Sequence, residues 1–140
     1  MENNILDIKF LLLEKLNLIE ELSFIEAKRH EFETNDIVTA TRIITLIQNG
    51  IVTPSLLGKK LNISRQAIHK SINNLCEKGY LCFDDKTSNK KNKQINITKK
   101  GNELLVCRKE VMNKVENTIK KNIGQEEFTK LKELLSKKWD

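Results

Sequence analysis

Thr53-Pro54-Ser55-Leu56-Leu57-Gly58-Lys59-Lys60-Leu61-Asn62-Ile63-Ser64-Arg65-Gln66-Ala67-Ile68-His69-Lys70-Ser71-Ile72-Asn73-Asn74-Leu75-Cys76-Glu77-Lys78-Gly79 is the stretch that decides the fold. A threonine followed by proline is an N-cap followed by the residue best suited to the first helical position, so a short helix is predicted over 54–61, with Leu57 and Leu61 inward. Asn62-Ile63 leaves room only for a tight connection. Ser64 then caps a further helix whose apolar positions Ile68, Ile72 and Leu75 keep helical spacing until Gly79 ends it. Two short helices joined by so few residues form a helix-turn-helix.

Upstream, residues 5–32 contain no Gly or Pro, and Ile5, Ile8, Leu12, Leu16, Ile19 and Leu22 recur at helical spacing. They predict one long helix, widened in its apolar arc by Leu6, Phe10, Leu13, Phe24 and Ile25. An arc this broad points to burial against a second surface, most simply another copy of the chain, rather than to the centre of a monomeric core. Thr39 is placed to cap a second helix carrying Ile43, Ile44 and Ile47, with Gly50 after its end. Downstream of Gly79, Tyr80-Leu81-Cys82-Phe83 reads as a strand, 84–93 is entirely polar, and Gln94-Ile95-Asn96-Ile97 alternates with period two. Such a ribbon with a long polar tip is a wing. Thr98 caps a long helix striped by Leu104, Leu105, Val111, Met112, Val115 and Ile119; Gly124 interrupts it, and a last helix carries Phe128, Leu131, Leu134, Leu135 and Trp139. The fold class is therefore mostly α with a two-stranded β wing: a winged helix-turn-helix flanked by N- and C-terminal dimerisation helices. The expected regions are a helical dimerisation part, 1–37 and 102–140, and a winged DNA-binding part, 38–101, in one compact chain.

Composition agrees with this reading. The 140 residues hold only five Gly and one Pro, too little punctuation for a sandwich or barrel. No long apolar run and no basic, signal-like start occur, so a soluble cytoplasmic protein is expected. Cys76, Cys82 and Cys107 are odd in number and unlike any paired zinc motif, and the only histidines are His30 and His69. No Gly-rich phosphate loop, nucleophile elbow or Cys–His motif is present. No catalytic residue, cofactor or metal is predicted, and the chain is not expected to be an enzyme. The formal charge of +6 is segregated: 1–37 carries four Lys/Arg against nine Asp/Glu, 38–101 twelve against three, and 102–140 nine against seven. All the positive excess lies in the middle, as in a segment that faces a polyanion.

With the elements in this order, the chain resembles the MarR family of bacterial transcriptional regulators over nearly its whole length. The resemblance is carried by 53–58 through 61–64 as the opening of the motif, by Leu75-Cys76-Glu77-Lys78-Gly79-Tyr80-Leu81 as its exit, and by Ile97-Thr98-Lys99-Lys100-Gly101 as the start of the helix after the wing. It implies a homodimer whose first and last helices interlock, each winged motif on one half-site of double-stranded DNA, and a small-molecule effector pocket between the dimer helices and the motif. No residue identifies an effector. Three positions depart from the family: Asn89, Lys90 and Lys91 replace its Asp/Arg wing element, Phe83 stands where many relatives have Arg, and Gly58 replaces the usual Ala.

On the fourth helix, Arg65, Gln66, His69 and Asn73 remain outward and are the expected base-reading residues. Arg suits the N7 and O6 edge of guanine, Gln and Asn the N7 and N6 edge of adenine. Ser64, Lys70, Thr53 and Lys99 are expected at the DNA backbone, and Lys86, Lys90, Lys91 and Lys93 in the wing, where lysine acts as a hydrated point charge. The three cysteines are read as small buried or half-buried hydrophobes. The function predicted is sequence-specific DNA-binding transcriptional regulation, as a repressor on a pseudo-palindromic operator. The alternatives are a winged-helix protein-binding module and a plasmid or phage replication or maintenance protein. No membrane partner is expected.

Overall fold

The computed structural model describes residues 6–84 and 94–140. Among them six helices and one two-stranded antiparallel sheet follow in the order α1 (Ile8–Ala27), a π-helical turn (Asp36–Ala40) running into α2 (Thr41–Gln48), α3 (Pro54–Leu61), α4 (Arg65–Glu77), β1 (Leu81–Phe83), β2 (Ile95–Ile97), α5 (Lys99–Ile123) and α6 (Gln125–Ser136). Leu81 pairs with Ile97 and Phe83 with Ile95. The winged helix-turn-helix is thus present, with a long helix before it and two after.

Local chemistry sets most boundaries. The hydroxyls of Thr53, Ser64 and Thr98 accept from the backbone N–H three residues on, at Leu56, Ala67 and Gly101, and so cap α3, α4 and α5. Pro54 occupies the first turn of α3. The tight connection between α3 and α4 is made by Asn62 in the left-handed conformation, with φ 54°, which asparagine tolerates better than most residues. Gly79 at φ 85° ends α4.

The core is one cluster under the motif. Ile43, Ile44 and Ile47 of α2, Leu57 of α3, Ile68, Ile72 and Leu75 of α4, and Leu104, Val111 and Val115 of α5 are all buried, with Leu81 and Ile95 of the ribbon closing one end. Leu61 is only half-buried at the rim. On α1 just Ser23 and Ala27 are buried; the Ser23 hydroxyl donates to the Ile19 carbonyl at 2.6 Å and lies 3.7 Å from the Met112 sulfur on α5. Every residue from 8 to 18 is exposed.

Four expectations need correction. Thr39 does not cap the second helix: helical backbone starts at residue 34, and Thr39 lies inside the π turn. The first helix stops at Ala27 rather than near Phe32, and Phe32 instead sets its ring 6.1 Å from that of Tyr80. Packing on a distant ring outweighs the helical preference of the intervening residues. Trp139 lies beyond the end of α6, its indole N–H donating back to the Leu134 carbonyl at 2.9 Å. Cys82 is exposed, because strand alternation turns it to the face opposite buried Leu81. Cys76 and Cys107 are half-buried, and burial is the main cause that raises both thiols above their ordinary pKa.

Candidate nucleic-acid interface

α4 is amphipathic by construction. With Ile68, Ile72 and Leu75 locked into the core, the 100° step of the helix turns Arg65, Gln66, His69, Lys70 and Asn73 outward, and all five are exposed. Gln66, His69 and Asn73, spaced by three and four residues, form one stripe along that face. Arg65 is the first residue of the helix, directly after the Ser64 cap. No acidic residue lies on α4 before Glu77. The face offers donors and one fixed cation in its first turn, followed by Lys70, an arrangement able to meet base edges and the phosphates that flank them.

The residues expected at the DNA backbone divide by how free they are. Lys70 and Lys99 are exposed, Lys99 at the first position of α5. The hydroxyls of Ser64 and Thr53 are engaged as helix caps, which leaves each an O–H to donate. Lys100, though exposed, is engaged within the chain: its ammonium donates to the Lys78 carbonyl at 2.8 Å and sits 4.9 Å from the centre of the Tyr80 ring. Lys86, Lys90, Lys91 and Lys93 lie outside the described residues. Among the described residues, no group of three or more His, Cys, Asp or Glu is arranged to hold a metal ion, and no helix is long and apolar enough to cross a membrane.

Sequence reasoning missed the polar assembly behind this face. Asp36 is 4% exposed. One of its carboxylate oxygens accepts from the Lys78 ammonium at 2.7 Å and the other from the Tyr80 hydroxyl at 2.9 Å. Its hydrogen bond to Asp36 is the largest influence on the Lys78 ammonium and raises its pKa, against an opposing desolvation. Burial, and then the bond to Asp36, hold the Tyr80 phenol protonated well above the usual range. A second knot lies on the same π turn: the half-buried Arg108 guanidinium donates to the Val38 carbonyl at 3.2 Å and to the Thr41 hydroxyl at 2.9 Å, and that hydroxyl donates to the Ile37 carbonyl. Burial lowers the Arg108 pKa. Asp36 stands near no motif in the chain, and its partners are 42 and 44 residues away. Only the three successive buried positions Asp36, Ile37 and Val38 mark the place, and they become visible with the coordinates.

Beside this assembly, a cleft of about 220 Å³ opens between the π turn and the helix-turn-helix, lined among others by Arg42, Ile63 and Asn74.

A family model described as winged helix-turn-helix DNA-binding matches residues 42–81, from α2 to the first residue of the ribbon. No curated protein matches the chain by sequence. Among solved structures, apo MarR from E. coli superposes with a TM-score of 0.76 at 18% identity, covering 94% of this chain and 96% of that one. MepR from S. aureus, in a complex with DNA, gives 0.68 at 16% identity, over 96% and 95% of the two chains. The transcriptional regulator PA4135 gives 0.73 at 21% identity over 94% of each. The whole chain, its terminal helices included, therefore has the MarR-type winged-helix fold.

Proposed function

We propose that this chain is a MarR-family transcriptional regulator that binds double-stranded DNA as a homodimer and acts as a repressor on a pseudo-palindromic operator. The observation that carries the reading is the exposed polar face of α4, Arg65, Gln66, His69, Lys70 and Asn73, on the second helix of a winged helix-turn-helix. That helix is the one such motifs place in the major groove. The positive excess of residues 38–101 supports it, since phosphate neutralisation supplies most of the affinity and Lys70 and Lys99 are exposed. MepR, which shares the fold, has been captured on DNA.

The dimer is supported by what the single chain leaves uncovered. Ile8, Phe10, Leu12, Leu13 and Leu16 of α1 and Leu131, Leu134 and Leu135 of α6 are exposed, as is Trp139 beyond α6. Apolar surface concentrated on the two terminal helices is out of keeping with a soluble monomer and fits a two-fold, self-complementary interface. A dimer presents two α4 helices, so half-sites separated by about one helical turn of DNA follow. Repression is the economical outcome, because a dimer astride a promoter obstructs the polymerase without needing a further contact. Selection of bound duplexes from a random pool at moderate salt tests the reading: it should enrich two inverted half-sites. Absence of enrichment, together with binding that ignores salt, would overturn it in favour of a protein-binding module.

A further inference from the structure

We propose that Asp36 is a positioning residue that holds the junction between the DNA-facing helix and the wing. The functional arm of this inference rests on the DNA-binding reading above. Its geometric basis is that the two oxygens of one buried carboxylate grip the residues on either side of Gly79, the positive-φ turn at which α4 gives way to β1. Lys78 is the C-cap of α4 and Tyr80 immediately precedes β1.

The carbonyls of the junction are held by the start of α5. Thr98, the cap of α5, donates its hydroxyl to the Gly79 carbonyl at 2.5 Å and its backbone N–H to the Tyr80 carbonyl at 3.1 Å. Lys100 takes the Lys78 carbonyl at 2.8 Å. Residues 78–80 are thus bound both by the start of α5 and by Asp36, which belongs to neither α4 nor the wing.

The π turn is what brings Asp36 there. In an α-helix three successive residues span about 200°, so they do not all reach one core face. Here Asp36, Ile37 and Val38 are each at most 4% exposed. The wider turn, closed by the Thr41 N–H onto the Asp36 carbonyl, lets the carboxylate point at Lys78 and Tyr80 while Ile37 and Val38 fill the core. Turns of this kind recur where a helix serves a function. Because Arg108 of α5 braces the same turn at Val38 and Thr41, Asp36 ties the angle of α4 to the long helices rather than to its own motif alone.

Two variants of the full chain test this, each first confirmed folded by circular dichroism. Asp36→Asn keeps the shape and loses the charge; Tyr80→Phe keeps the ring and loses one of the two bonds. The first readout is amide hydrogen exchange at Lys78, Gly79 and Tyr80, whose N–H groups bond to Asn74, Cys76 and Leu75. Asp36→Asn should speed exchange there by about tenfold and Tyr80→Phe by about threefold, leaving the α3 amides within about twofold of wild type, as expected for local loosening. The second is affinity for a duplex selected by the wild-type protein against a random duplex. A loss of about tenfold on the selected duplex, with less than about twofold on the random one, corresponds to one base contact disturbed while phosphate contacts persist. Unchanged exchange at residues 78–80 in both folded variants, or equal losses on the two duplexes, would overturn the proposal. If the wild-type protein selects no duplex, the DNA-binding reading fails, and exchange alone still decides whether Asp36 holds the junction.

Discussion

Gly101→Ala is the substitution whose cost the structure defines most sharply. A Cβ at this position would lie 2.3 Å from the Tyr80 carbonyl oxygen and 2.9 Å from Cγ2 of Ile97. Ordinary carbon–oxygen contact needs about 3.4 Å, so α5 and residue 80 must separate by roughly 1 Å, and both sides are backbone held by caps. Overpacking of this kind costs about 1–3 kcal/mol. The Tyr80 carbonyl also accepts from the Thr98 N–H at 3.1 Å, and a 1 Å retreat takes that bond beyond useful length, for about 1 kcal/mol more. Alanine returns at most about 1 kcal/mol of helix propensity, and less at Gly101 because it lies in the first turn of α5. The net expectation is destabilisation by about 2–3 kcal/mol. At roughly 3–4 °C per kcal/mol for a chain of this size, Tm should fall by about 6–12 °C, read by circular dichroism at fixed protein concentration. A Tm unchanged within about 1 °C, or raised, would refute the claim that Gly101 is required by close approach. Gly58→Ala is the internal contrast. Its Cβ would meet the Ile63 carbonyl oxygen at 3.3 Å, a tight contact relieved once that carbonyl shifts outward by a few tenths of an ångström, so the propensity gain should win and stabilise by up to about 1 kcal/mol.

Gln66→Ala and His69→Ala should each weaken binding to the selected duplex by about 1–3 kcal/mol and leave random DNA nearly unaffected; equal losses on both would mean that these side chains touch only the backbone. Replacing Lys90 and Lys91 together by alanine should lower the slope of log K against log salt by about 2, on selected and random DNA alike, as measured by titration at several salt concentrations. Leu135→Glu should shift sedimentation from dimer towards monomer at micromolar concentration, since it sets a charge in an apolar face. Stability should fall at alkaline pH. Lys78 and Tyr80 both have raised folded-state pKa values, so the native state keeps protons that the unfolded state releases. Their contribution is complete below about pH 10 and is lost as pH rises through the folded values. Urea denaturation from pH 8 to 11 should show a shallower decline in Tyr80→Phe than in wild type.

These predictions draw on two kinds of residue. Gln66, His69 and the wing lysines were marked by pattern: an outward stripe on an amphipathic helix, and a polar run between two short strands. Gly58 and Gly101 were visible as positions within motifs, yet only the distances separate the one that tolerates a methyl group from the one that does not. The apolar residues of α1 and α6 likewise gain meaning from the coordinates, which leave most of them uncovered while α2 to α5 expose only Leu56, Val106 and Ile123 among their large apolar residues.

By itself the sequence determined the helix-turn-helix, the caps of α3, α4 and α5, the strand pair and the outward face of α4. The helices and caps rest on interactions within about four residues: a hydroxyl on an N–H three positions on, a glycine or asparagine at a left-handed turn, an apolar residue every third or fourth place. The strand pair joins residues 12 to 16 apart and is legible because its two segments flank a single polar run. Tertiary structure alone decided where the first helix ends, that the chain before α2 forms a π turn, and that Asp36 is buried. The energy that sets those features comes from partners far along the chain, Phe32 on Tyr80, Arg108 on Val38, Lys78 and Tyr80 on Asp36. A buried carboxylate is stable only once such partners arrive to satisfy it, and no local pattern announces their arrival.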